Sequence, residues 1–139
     1  MHSVLQVFKK HENRSSEPAF QIRINKRIAK KLRHWVAEKR FCNPECSLAD
    51  VAEEFEVTPD ALSYYFSTVI RLRFTTFRKH LRLEEAKRII YDEPGCKLLL
   101  VASRVGITDK CNFRKQFHER YGFGPRAWQI RCEQMRNSD

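Results

Sequence analysis

Apolar residues along this chain recur at intervals of three and four, and no segment alternates apolar with polar as a half-buried strand does. The pattern predicts an all-α fold. Ile28, Leu32, Trp35 and Val36 form one stripe on a helix opened by Asn25 as N-cap and stapled by Ile24. Ser47, with Asp50 three residues on, begins another helix with a capping-box pattern. Thr58-Pro59 starts the next, with proline in its permitted first-turn position. A long helix over about 74–91 is expected to bury Phe77, Leu81, Ala86 and Ile89 or Ile90, and Pro94-Gly95 ends it. Helices over about 97–105 and 109–121 follow, the latter after Thr108, and a last one runs from Pro125 to about residue 135. Residues 1–20 read instead as a polar arm or remnant, with Pro18 arguing against a helix running through it. Val4, Leu5, Val7 and Phe8 within it fit a short strand or a tail equally well.

An internal repeat organises these helices. Leu48, Val51, Ala52, Phe55, Val57 and Thr58 correspond, fifty residues later, to Leu98, Val101, Ala102, Val105, Ile107 and Thr108. An apolar pair four apart follows in each copy, Leu62 with Phe66 and then Phe113 with Phe117, at an offset of 51. The second copy therefore holds one extra residue. In each, a short helix carries a small alanine where a second helix must approach closely. A tight turn follows, with Gly106 supplying permissive backbone in the second copy, and a threonine caps the next helix. That is a helix-turn-helix, made twice.

Charge points to a partner. The formal net charge is +10 with 27 Lys and Arg, and the sequence pI is near 9.7, values suited to a polyanion. The distribution is uneven: residues 1–40 carry +8, residues 71–91 carry +5 and residues 92–139 carry +3. Residues 41–70 hold six acids and no Lys or Arg. The longest apolar run, Leu98 to Ala102, is far short of the ~20 residues a membrane helix needs. No apolar stretch framed for secretion opens the chain, so the five cysteines read as reduced thiols in a cytoplasmic protein.

Residues 47–129 resemble the DNA-binding domain of the AraC/XylS family of bacterial transcription regulators. The resemblance is carried by Leu98-x-x-Val101-Ala102-x-x-Val105-Gly106-Ile107-Thr108-Asp109, by Asn112-Phe113-x-x-x-Phe117, and by Tyr121-Gly122-x-x-Pro125-x-x-Trp128. Upstream, Phe74-x-x-Phe77 and Leu81-Arg82-Leu83-x-x-Ala86-Lys87 resemble the family's linker helix. The resemblance implies a DNA-binding domain over 21–139, with helix-turn-helix units at about 47–70 and 97–121 joined by that linker. Residues 21–46 would be an extended first helix and its connection. Eighteen linker residues at about 1.5 Å each span roughly 27 Å, near one turn of duplex.

The same resemblance implies which residues meet DNA. In the second copy the face opposite Phe113 and Phe117 holds Lys110, Cys111, Arg114 and Lys115, with His118 one turn on. Arg114 and Lys115 have the chemistry for guanine O6 and N7, while Lys110 suits a base edge or a phosphate. The matching face of the first copy is Asp60, Ser63, Tyr64 and Ser67, without a cation. Asp60 reads as a dipole residue, and the second copy is expected to dominate affinity. Three departures from the family pattern stand out. Glu56 occupies a turn position that is often glycine, and Arg73 stands where a Ser or Thr cap is usual, which makes it a candidate phosphate contact. Leu99 and Leu100 replace polar residues, a partner surface unless a slight rotation buries one.

Other chemistry is missing. Cys42-x-x-x-Cys46 has no second close pair to complete a structural zinc site, and His2, His11, His34, His80 and His118 form no catalytic spacing. Cys111 on the groove face is a spot where alkylation or oxidation would be felt. The expectation is a sequence-specific regulator, an activator by family analogy, with no enzyme activity, metal or cofactor. Its partners would be double-stranded DNA, RNA polymerase and an upstream sensor domain absent from this chain, with no membrane role. The rivals are a protein-interaction module using the acidic first copy, and a nonspecific nucleoid-type binder, which phosphate contacts alone would make blind to sequence.

Overall fold

A computed structural model describes residues 17–138, and these are helical apart from their connections. The proposed arm falls almost wholly outside the described residues. Seven α-helices follow in order: α1 (Ala19–Ala37), α2 (Leu48–Glu54), α3 (Pro59–Tyr65), α4 (Phe74–Asp92), α5 (Leu98–Arg104), α6 (Lys110–Tyr121) and α7 (Pro125–Asn137). The chain divides into two compact units. One comprises α1, α2, α3 and α4 as far as Arg78, and the other takes residues 41–45 with everything from Lys79 onward. Each unit contains one helix-turn-helix, and α4 belongs to both.

In the first unit, α3 packs against α2 and α1. Ile28, Leu32, Val51, Ala52, Leu62 and Phe66 are almost completely buried. Phe66 meets Phe74 edge-on at 5.5 Å and Phe77 at 5.3 Å, which fixes the start of α4 against this core. The second unit is built around Leu83, Ala86, Ile90, Val101, Ala102, Val105, Phe113 and Phe117. Ile89 and Ile90 are both buried, where the periodicity left a choice between them.

Two cap expectations are corrected. Asn25 does not open α1. The helix begins at Ala19, because the Pro18 carbonyl accepts from the Gln21 and Ile22 amides, and Asn25 lies nearly two turns further in. Its side-chain amide is used laterally, donating to Glu17 and accepting from Gln21. In the second copy Asp109, not Thr108, is the N-cap, its carboxylate accepting from the Cys111 and Asn112 amides. Thr58 does cap α3, accepting from the Ala61 amide, and Ser47 with Asp50 forms the reciprocal capping box on α2. The shifted cap explains the changed offset. Cap to first buried anchor is four residues in both copies, Thr58 to Leu62 and Asp109 to Phe113, so the extra residue lies in the turn.

His80, half-buried on α4, has its pKa held below the ordinary 6.5, first by burial and then by the charges of Arg120 and Lys79. The folded state thus resists a proton that the unfolded chain accepts. Its contribution is whole above about pH 6.5 and is lost as pH falls through the lowered folded value. His80→Gln should flatten the decline of thermal stability between pH 7 and 5, measured by circular dichroism.

Candidate nucleic-acid interface

The outward face of α6 follows from its anchors. Phe113 and Phe117 are fully buried one turn apart, in edge-on contact at 5.9 Å. This pins one side of the helix inward, and Lys110, Cys111, Arg114, Lys115 and His118 are all exposed. Asp109 satisfies two of the free amides at the helix start, and Gly122 ends the helix at φ 79°, its amide donating to the His118 carbonyl. All five residues named from the second copy therefore share one helix and one exposed arc.

The first copy presents its residues differently. Ser63, Tyr64 and Ser67 are exposed on α3 and the turn after it, opposite Leu62 and Phe66. The Ser67 hydroxyl donates to the Tyr64 carbonyl, as does that of Thr68, so the Ser67 proton is already committed to the helix backbone. Here the helix does not end as α6 does. Phe66–Ile70 form a π-turn closed by Arg71 at φ 62°, whose amide donates to the Phe66 carbonyl at 2.6 Å. Arg71 is the counterpart of Gly122 at the same offset of 51. Likewise Glu56, at φ 58°, takes the left-handed turn position that Gly106 takes at φ 88°. Both sharp turns that the second copy makes with glycine are made here by charged residues.

Ser63, Ser67 and Arg73 come together with Arg71, Leu72 and Phe74 along one cleft of about 580 Å³, and Tyr64 is not part of its lining. Arg71 was not among the residues expected from the sequence, although it lies only two residues before the candidate Arg73. The Arg73 carbonyl accepts from the Phe77 amide, so Arg73 does stand at the start of α4 and leaves an exposed side chain there.

The acidic segment is partly neutralised inside its own unit. Glu54 pairs with Arg40, and Glu56 pairs with Arg27 at 2.9 Å. Asp50 is engaged by Ser47, whose hydrogen bonds lower its pKa. Elsewhere, two cations of α4 are structural. Arg82 is buried and donates to the carbonyls of Phe41 and Asn43, holding the 41–45 connection. Lys87 lies 4.4 Å over the ring of Tyr121 and 4.8 Å over that of Trp128. Burial in the same cluster pushes the Tyr121 hydroxyl up to about 12. Leu99 and Leu100 are exposed to 56% and 54%, so no rotation of α5 hides either. Cys46 is buried and Cys42 half-buried.

Two units of this form, each offering a capped second helix anchored by an apolar pair, agree with what comparison finds. Residues 51–131 match a family model described as a helix-turn-helix domain. The chain belongs to the AraC-type helix-turn-helix family. It is a family of DNA-binding regulators. A transcriptional activator from Rhizobium meliloti, RhrA, is 34% identical over 92 residues, which are 63% of this chain and 28% of that protein. This chain thus corresponds to little more than a quarter of that relative. Among solved structures, the C-terminal domain of AraT, a response regulator from Geobacillus stearothermophilus, aligns with TM-score 0.64 and 21% identity. That alignment covers 84% of this chain and 88% of AraT's. A DNA-binding transcriptional dual regulator from Escherichia coli K-12 aligns with TM-score 0.61 and 21% identity, over 88% of this chain and 99% of its own. At that identity the likeness is one of fold, and it is the AraC-type fold. No helix of this AraC-type chain, among the described residues, is long and apolar enough to cross a membrane.

Proposed function

We propose that this chain binds double-stranded DNA sequence-specifically through residues 21–139 and regulates transcription, with α6 dominating base readout. The observation that carries the reading is the pair Arg114 and Lys115, exposed in the middle of a helix whose opposite side is locked by Phe113 and Phe117. A guanidinium or ammonium held at such a place can reach guanine O6 and N7 in the major groove. Lys110 and His118, first and last of the five along the helix, suit phosphates, and Cys111 lies between Arg114 and Lys115 around it. On α3, Ser63 and Tyr64 add weaker contacts, with Ser67 limited by its bond to Tyr64, and Arg73 reaches a phosphate. Activation is favoured by RhrA, a relative named as a transcriptional activator. RNA polymerase is then a natural partner for the exposed Leu99 and Leu100, and an upstream sensor domain is the other candidate partner. A reader of chromosomal DNA of this kind works in the cytoplasm.

In vitro selection from a random duplex pool, followed by salt titration on the enriched sequence, tests the proposal. Enrichment confined to one major-groove turn is the expected result. Two motifs one turn apart would show that α3 reads bases on equal terms. Binding without enrichment, lost steeply with salt, would remove sequence readout and leave a basic surface alone.

A further inference from the structure

We propose that the solvent face of α1 is a phosphate-contacting surface, which supplies the first unit's electrostatic grip on duplex DNA. The inference rests on the reading of the chain as a DNA binder and adds a surface outside α3 and α6. Helix α1 carries Arg23, Lys26, Arg27, Lys30, Lys31 and Arg33 and no acidic residue across Ala19–Ala37. Steps of three and four place Arg23, Lys26, Arg27 and Lys30 on one face, and all four are exposed. Like charges at these spacings repel one another along a free helix. An anionic partner along the face removes that repulsion.

The opposite side of α1 is already occupied, with Ile28, Leu32, Trp35 and Val36 buried in the first unit's core. Phe20, at its start, is the one large apolar side chain α1 leaves exposed, too little for an apolar face that inserts into a bilayer, and the charged face suits a polyanion that stays in water. Its position favours DNA. Arg27 reaches Glu56, the turn residue two before the cap of α3, so the basic face passes beside the turn that leads into the first reading helix. Residues 46–70, which contain α2 and α3, hold five acids and no Lys or Arg. A unit with that segment alone would be pushed from a phosphate backbone. The six cations of α1 reverse the balance within the same unit. From Arg23 to Lys30 the face extends about 10 Å, roughly three phosphates of one strand at 3.4 Å of duplex axis each.

The test uses the full chain with Arg23→Gln, Lys26→Gln and Lys30→Gln combined, bound to the selected duplex between 50 and 300 mM salt. The slope of log affinity against log salt is expected to shrink by about 2 to 3, near 0.9 per lost phosphate contact, with roughly tenfold to hundredfold weaker binding at 0.15 M. The enriched motif stays the same. A second variant, Glu56→Gln, frees Arg27 and is expected to steepen the slope by up to about 1. Unchanged slopes in both variants, with the motif still bound, would overturn the role of α1 and leave the DNA-binding reading standing. If the unaltered chain binds no duplex at any salt, that reading falls and this one with it. Thermal unfolding of each variant separates lost contacts from lost fold.

Discussion

Alanine at Arg114 is expected to weaken binding to the selected operator by about tenfold to a hundredfold, corresponding to the ~1–3 kcal/mol that a bidentate base contact contributes. The loss should fall on the matched sequence. Affinity for unrelated duplex should change by less, since one fewer cation in a nonspecific complex mainly lowers the salt slope by about 1. Lys115→Ala should follow the same pattern, and Tyr64→Ala, its counterpart on α3, should cost clearly less. Competition binding with matched and scrambled duplexes checks all three. Equal losses from Tyr64→Ala and Arg114→Ala would mean that α3 contributes as much as α6. The ion pairs of Glu54 and Glu56 make that outcome less remote than the bare charge count implies, because they remove part of the repulsion around α3.

Gly106→Ala is expected to destabilise the second unit by about 3 kcal/mol. A β-carbon built there lies 2.5 Å from the carbonyl oxygen of Cys42 and 3.3 Å from the Arg82 guanidinium carbon. The carbonyl belongs to the connection that Arg82 holds through Phe41 and Asn43, so neither neighbour moves aside freely. Left-handed backbone adds about 1–2 kcal/mol for any residue with a β-carbon, and overpacking adds about 1–3. The melting temperature should fall by about 10 °C, read by circular dichroism. Glu56→Gly is the matched control. The same turn in the first copy tolerates a side chain at φ 58°, where Glu56 reaches out to Arg27. Relief of backbone strain and loss of an exposed ion pair oppose each other there, so stability should stay within about 1 kcal/mol. A large loss from Glu56→Gly and none from Gly106→Ala would contradict this account of the two turns.

Helix placement was legible because the signals that place helices are local. Ser47 with Asp50, Thr58 with Pro59, and Pro125 each satisfy free amides of the turn they open, or need none. The caps that were misread had competitors. Asn25 competes with Pro18 for the start of α1, and a proline at that position launches the helix through its carbonyl. Thr108 had Asp109 beside it, a carboxylate able to accept from two amides at once. No local rule chooses between adjacent acceptors when the turn holds one residue more.

The candidate site divides the same way. Which residues of α6 face outward follows from Phe113 and Phe117 at a helical spacing, so Lys110, Cys111, Arg114, Lys115 and His118 could be named from the sequence. Periodicity says nothing about which cations are consumed by the fold. Arg82 and Lys87 sit within a basic helix that reads as uniformly available, yet one is buried on carbonyls and the other rests on aromatic rings. Arg71 became visible only when the π-turn carried it to the same cleft as Ser63, Ser67 and Arg73.

From the sequence alone came the all-helical architecture, the doubled helix-turn-helix, the family and the outward arc of α6. The helices and that arc rest on spacings of a few residues, and the repeat and the family on a pattern that recurs fifty residues on. Only the tertiary structure decided that the 41–45 connection belongs with the second unit, that Glu56 and Arg71 take glycine's turns, and that the first copy's acids are met by Arg27 and Arg40. Those outcomes depend on residues distant in sequence competing for the same carbonyls and charges, and neither periodicity nor composition carries that competition.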